Sequence, residues 1–168
     1  MKIRIRKSVK SDVDGIYDCH QLCFNLGDQW YKSSIKDYVD NSYVIEIIET
    51  KKIIGALLQG SFTPCSPSEN FIPNTSTGII FKNNNYHLES VMGIVMLCVD
   101  PNYRNKGLAK RLITEHLKQY KDNILCLNTR KSNPAYHLYL KMGYEHIGTI
   151  ENKYYCPNEH SYFMLIKN

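Results

Sequence analysis

The sequence predicts a mixed α/β fold, one mixed sheet of about seven strands with about four helices on its two faces. Three observations carry this reading. Ile3 and Ile5 alternate with Arg4 and Arg6, the period-two signature of a half-buried strand. Val91 to Val99 is a continuous apolar run, as expected of a strand buried on both faces. Between such runs, apolar residues return at helical spacing, most clearly at Leu108, Leu112, Ile113, His116, Leu117 and Tyr120. With 168 residues, 43% hydrophobic and 22% charged, the chain is long enough for a genuine core without staples. The expected organisation is a single domain over 1–168, with an irregular insertion at about 62–89.

The elements follow in order. After the first strand, Ser11 with Asp14 three residues on resembles a capping box. Val13, Ile16, Tyr17, Cys19, His20 and Cys23 then give a helical stripe that ends before Gly27. A shorter helix is expected from about Ser34 to Asp40. Tyr43 to Glu49 and Ile53 to Ser61, joined at Lys51-Lys52, form a hairpin. Pro64, Pro67, Pro73 and the Asn83-Asn84-Asn85 run break the pattern up to Glu89, too long a stretch for a plain connection. The buried strand stops at Asp100-Pro101, and the clearest helix begins near Lys106. Ile124 to Leu127 is another short strand. Asn133-Pro134 caps a helix over Ala135, Leu138, Tyr139 and Met142 with Gly143 as its stop, and Tyr144–Ile150 and Ser161–Ile166 close the sheet.

Composition narrows the partners. No apolar run approaches the roughly 20 residues of a membrane span. Met1–Lys7 lacks the apolar core of a secretory signal, so a cytoplasmic address and no membrane partner are expected. The net charge of +5 has no arginine-rich run behind it. Arg104, Lys106, Lys110 and Arg111 gather around a glycine at a helix start, which favours a phosphate-bearing ligand over nucleic acid. Six cysteines are scattered without a C-x-x-C pair. Cys19 and Cys23 stand four apart on one helix with His20 beside them. A metal there needs further ligands that the spacing does not announce, so the thiols read as buried apolar groups and no metal is expected.

The segment from Val99 to Ala109 joins a buried strand to an amphipathic helix, and this geometry supplies an anion site. The first helical turn leaves N–H groups without partners, and Gly107 lets a phosphate approach the backbone. Arg104-Asn105-Lys106-Gly107-Leu108-Ala109 resembles the R/Q-x-x-G-x-G/A signature of the GCN5-related N-acetyltransferases, the GNAT superfamily. The strand before it resembles the family's central strand. Ala135, Tyr139, Gly143 and Tyr144 resemble the later A-x-x-x-Y-x-x-x-G-F/Y helix and strand. The resemblance covers nearly the whole chain and implies acetyl-CoA as donor, its pyrophosphate on the amides from Arg104 to Ala109. It places the pantetheine arm along the backbone of Leu97, Cys98 and Val99, as an added strand would lie. Asn133 is a further candidate contact, although counting back from Tyr139 puts the family's asparagine position at Ser132.

The resemblance makes Tyr139 the expected catalytic acid, protonating the CoA thiolate as the amine attacks the thioester. A carboxylate base is missing, because the corresponding position is Leu127. The histidine positions of the arylalkylamine branch fall on Gly93 and Val95. Glu89, His87, Glu46 and His20 are base candidates without a motif. Phe62, Phe71, Phe81 and Tyr86 suggest an aromatic lid over the acceptor, and Trp30 and Tyr31 either line the acceptor side or pack under the sheet. In layout the chain loosely resembles the arylalkylamine and small-amine branch. The expected acceptor is therefore a small primary amine, arylalkylamine or polyamine. The alternatives are a protein N-terminus or lysine, or a non-catalytic acyl-CoA-binding module, and the chain is expected as a monomer or homodimer.

Overall fold

The computed structural model describes residues 1–25, 28–62, 71–73, 91–150 and 159–168. These form a mixed α/β fold with eight strands and four α-helices. The strands are β1 (Ile3–Lys7), β2 (Tyr43–Ile47), β3 (Ile53–Phe62), β4 (Phe71–Pro73), β5 (Val91–Val99), β6 (Ile124–Arg130), β7 (Glu145–Ile150) and β8 (Ser161–Lys167). The helices are α1 (Val13–Gln21), α2 (Lys32–Tyr38), α3 (Leu108–Gln119) and α4 (Ala135–Lys141). The strand beyond the expected seven is β4, three residues inside the proline-rich insertion. None of the described helices is long and apolar enough to cross a membrane.

Two compact units emerge, one from Met1–Gly60 with Ile94–Lys121, the other from Ser61–Gly93 with Asp122–Asn168. In the first, β1, β2, β3 and β5 are neighbours in that order. β1 pairs antiparallel with β2 through Ile3↔Ile47 to Lys7↔Tyr43, and β2 pairs with β3 across the Lys51-Lys52 turn. Lys51 takes a left-handed φ of 60° to close that turn. Val13, Ile16 and Cys19 of α1 and Ile35 of α2 pack on Val44, Ala56, Leu58, Met96 and Cys98 of the strands. A Cβ on Gly15 would lie 2.8 Å from Ile53 Cγ1, so glycine sets how closely α1 approaches β3. In place of the capping box expected at Ser11 and Asp14, the cap lies two residues earlier, at Val9 and Asp12. A 3₁₀ turn over Lys10–Asp12 precedes α1, and the Asp12 carboxylate accepts from the Val9 N–H at 2.8 Å. The carboxylate wins that position because Arg6 also donates to it, at 2.7 and 2.8 Å.

The second unit is an antiparallel set in the order β6, β8, β7, β4. β6 and β8 pair from Ile124↔Lys167 to Arg130↔Ser161. Cys126, Ile147, Phe163 and Val91 form its apolar cluster. The helix after Asn133-Pro134 is α4, ended by Gly143 at φ 95°.

Candidate functional site

β5 delivers the chain into the anion turn. Asp100 is fully buried and caps the short 3₁₀ turn Pro101–Tyr103, its carboxylate accepting from the Asn102 N–H at 3.0 Å. Lys52 Nζ, from the β2–β3 hairpin, lies 3.0 Å from the other carboxylate oxygen. Burial alone would raise this carboxyl's pKa; the bonds from Lys52 and Asn102 outweigh it and hold the pKa below the ordinary value. The turn is thus braced from the hairpin by a buried, ionised aspartate. The sequence reading took Asp100-Pro101 only as a strand stop, although Asp two residues before Asn is an Asx-turn signal.

The turn itself is open. Arg104, Asn105, Lys106 and Gly107 are all exposed, with Leu108 buried as the first anchor of α3 and Ala109 half-buried. Asn105 and Gly107 both take left-handed φ, 60° and 72°. A Cβ built on Gly107 meets nothing within 4 Å, so the space above this backbone is free for a ligand. The Arg111 N–H donates to the Gly107 carbonyl at 3.1 Å and opens the helical ladder. The N–H groups of the turn before it have no intrahelical acceptor and point out at the positive end of α3. Lys106 Nζ and Lys52 Nζ each stand 5.5 Å from the Tyr103 ring centroid. Backbone amides, dipole and cations together make an anion site, and the residues present fit the pyrophosphate of a CoA.

The backbone of β5 sorts the three expected pantetheine contacts. The Asp100 N–H donates to Ile54 O of β3 at 2.9 Å, and by strand alternation the Cys98 amide and carbonyl also face β3. Leu97 and Val99 therefore present their backbone groups on the opposite edge. The Val99 carbonyl is already engaged, by Arg104 Nε at 3.0 Å and Cys23 Sγ at 3.2 Å. Of the three expected contacts, the backbone of Leu97 and the Val99 N–H are the groups on that edge not engaged by Arg104 or Cys23.

Cys98 brings its side chain to Cys19 of α1 and to Cys23 in the turn just after it, a convergence the linear spacing did not reveal. As a thiol, Cys23 donates to the Val99 carbonyl. Hydrogen bonds from Cys19 and Cys98, helped by the Arg104 guanidinium, lower its pKa. Those of Cys19 and Cys98 rise, chiefly through their bonds within the trio and through burial.

In the second unit, Tyr139 is 6% exposed on α4 and meets Tyr144 edge-on at 5.8 Å. Its carbonyl accepts the Met142 and Tyr144 N–H groups, closing the helix end. Burial raises the pKa of the Tyr144 phenol. Asn133 acts as the helix cap, its Oδ1 accepting the Ala135 N–H at 2.9 Å, and the Ser132 N–H donates to Glu159 at 2.6 Å.

Among the base candidates, Glu46 is buried between Arg4, Arg6 and Lys51, a structural ion-pair role. His20 is buried with both ring nitrogens lacking a partner among the described residues, stacked on Phe24 at 4.5 Å. His87 and Glu89, and the aromatics expected of a lid, lie where side chains are outside the described residues. Trp30 packs against the core of the first unit beside Tyr38, while Tyr31 is 79% exposed.

The sequence model of the family described as Acetyltransferase (GNAT) domain matches residues 74–146, less than half of the chain but including β5, the anion turn, α3, β6 and α4. Match and fold point to one class: residues 74–146 match the GNAT acetyltransferase domain model, and the whole chain shares the fold of solved N-acetyltransferases. It is similar to Arabidopsis thaliana NAA60 in complex with acetyl-CoA, with TM-score 0.75 and 18% identity over 99% of this chain and 100% of that one. It is also similar to the ribosomal-protein-S18-alanine N-acetyltransferase of Escherichia coli, with TM-score 0.72 and 15% identity over 98% and 93%. Arabidopsis thaliana Naa50 in complex with the bisubstrate analogue CoA-Ac-MVNAL gives TM-score 0.71 and 14% identity, covering 98% of both chains. No curated protein sequence matches the chain.

Proposed function

We propose that this chain is an acetyl-CoA-dependent N-acetyltransferase that moves the acetyl group directly to a primary amine. The observation that carries the reading is the exposed turn from Arg104 to Ala109, with Gly107 left-handed and unobstructed, on the family-matched stretch. The turn amides from Arg104 to Ala109 bind the pyrophosphate, and Leu97 with the Val99 N–H bonds the pantetheine arm. The donor supplies a thioester open to attack. Tyr139 gives its phenolic proton to the departing sulfur as the amine nitrogen bonds to the acetyl carbon. A phenol of pKa about 10 and a thiol near 8.5 make that transfer uphill in water, so a buried setting that stabilises the neutral thiol is required. Leu127, 1% exposed, occupies the position of the missing carboxylate, so the proton on the incoming amine leaves through another group or ordered water.

For the acceptor, the similar structures named for a protein alanine or a peptide bisubstrate support an α-amine of a peptide or protein. The small-amine reading from the sequence keeps one specific support, the aromatic set of Phe24 and Trp30 around His20 with Tyr38 beside Trp30. Release of free thiol from acetyl-CoA, measured against N-terminal peptides, polyamines and arylalkylamines with product mass confirmed, tests both. Turnover with peptides alone supports the first reading, and turnover with flat amines alone supports the second. Tight CoA binding without any turnover defeats the enzyme reading in favour of a binding module.

A further inference from the structure

Cys19 on α1 and Cys23 in the turn that follows the helix meet Cys98 of β5. The three Sγ atoms all lie within 4.8 Å of one another, and Cys98 Sγ stands 3.8 Å from Cys19 Sγ. Thiolate–metal bonds of about 2.3 Å in a planar three-coordinate arrangement separate the sulfurs by about 4 Å. The trio therefore has the span of a loaded three-sulfur site without backbone rearrangement. Cys19 and Cys98 are 2% and 3% exposed, which keeps competing water away, and half-buried Cys23 leaves an approach.

We propose that Cys19, Cys23 and Cys98 form a binding site for a thiophilic closed-shell monovalent cation of the Cu(I) class. Soft thiolates select soft cations. A zinc site is completed by four ligands, and among the described residues no fourth histidine, cysteine or carboxylate joins the group. A monovalent ion of this class is satisfied by three sulfurs. Three thiolates around one such cation leave two negative charges. Arg104, held by its Nε bond to the Val99 carbonyl beside Cys23, offsets one of them. The balance is simple: one cation enters, the protons still on the thiols leave to solvent, and no electron moves. Loading ties the end of α1 to the strand that leads into the anion turn.

The test uses the full reduced chain under anaerobic conditions, with Cu(I) supplied as its bicinchoninate complex and Zn(II) titrated in parallel against a chromogenic chelator. A variant with Cys65→Ser, Cys126→Ala and Cys156→Ser, which keeps only the trio, is expected to withdraw one Cu(I) per chain. Cys23→Ala in that background is expected to weaken retention at least 10-fold, with unchanged circular dichroism. Cys19→Ala and Cys98→Ala, in the core, are expected to do the same where they fold. X-ray absorption on the Cu(I)-loaded chain, which needs no cluster variant, is expected to show three sulfur neighbours at about 2.3 Å. Failure of the trio-only variant to take Cu(I) overturns the site, as does retention indifferent to Cys23→Ala. Zn(II) bound more tightly than Cu(I) overturns the monovalent assignment. None of these readouts involves acetyl transfer, so the site and the proposed activity stand or fall separately.

Discussion

Tyr139 and His116 are both buried polar aromatics on helices, and their surroundings give them different work. Tyr139→Phe removes one oxygen and leaves the packing against Tyr144 intact. As the proposed acid, its loss should lower kcat by about 10²-fold or more with the KM for acetyl-CoA little changed, measured by steady-state thiol release. An unaltered kcat would reduce it to a core aromatic. His116 is fully buried under α3, its Nδ1 2.7 Å from Gln59 Oε1. Gln59 Oε1 can only accept, so Nδ1 carries a proton. Burial, reinforced by the charge of Lys7, pulls its pKa down to about 4. The folded value lies below the unfolded one of about 6.5, so the unfolded chain binds the proton more readily. The stability the neutral ring contributes is present above pH 6.5 and is lost as pH falls towards 4, up to roughly 3 kcal/mol. Urea unfolding at pH 7 and pH 4.5 should show that loss in the native chain and a smaller one in His116→Gln. In the sequence, Tyr139 was legible through its motif. His116 read only as one apolar-face position, because its partner Gln59 is far away in the chain.

At the scale of the element, the strand–turn–helix unit of β5 and α3 was the most legible part of the site. Pro101 ends a ladder and Gly107 opens a helix by local rules that act within a few residues. What stayed hidden depends on distant partners: Lys52 bracing Asp100, and Cys98 reaching α1. The capping position at Asp12 was misplaced for the same reason, because Arg6 on β1 fixes it. Gly107 separates two costs. Gly107→Ala meets no neighbour and carries only the left-handed backbone penalty, about 1 kcal/mol. Gly107→Glu adds a negative charge over the turn amides. Calorimetric titration should show CoA bound at least 10-fold more weakly by Gly107→Glu than by Gly107→Ala; equal affinities would make the turn a simple helix cap.

At the scale of the whole molecule, the order of strands and helices followed from apolar periodicity, which is why the fold class was legible. The acceptor was not. Its expected aromatics fall in a stretch whose composition of proline, serine and asparagine carries no periodic signal. The charges of the first unit are also partitioned. Arg4 and Arg6 are consumed by Glu46 and Asp12, whereas Arg104, Lys106, Lys110 and Arg111 are exposed and take part in none of the ion pairs among the described residues. Beneath α3, by contrast, the anchoring is done by amides, phenols and an uncharged imidazole. Gln59 bonds Asn41, Gln119 and Tyr120, and Tyr43 bonds Gln119, with Lys7 joining them at the exposed rim. Ionic strength consequently acts on the two ends of that helix unequally. Added salt screens the cationic mouth and loosens its grip on a polyanion, while the dipolar seat that aims the helix is left in place.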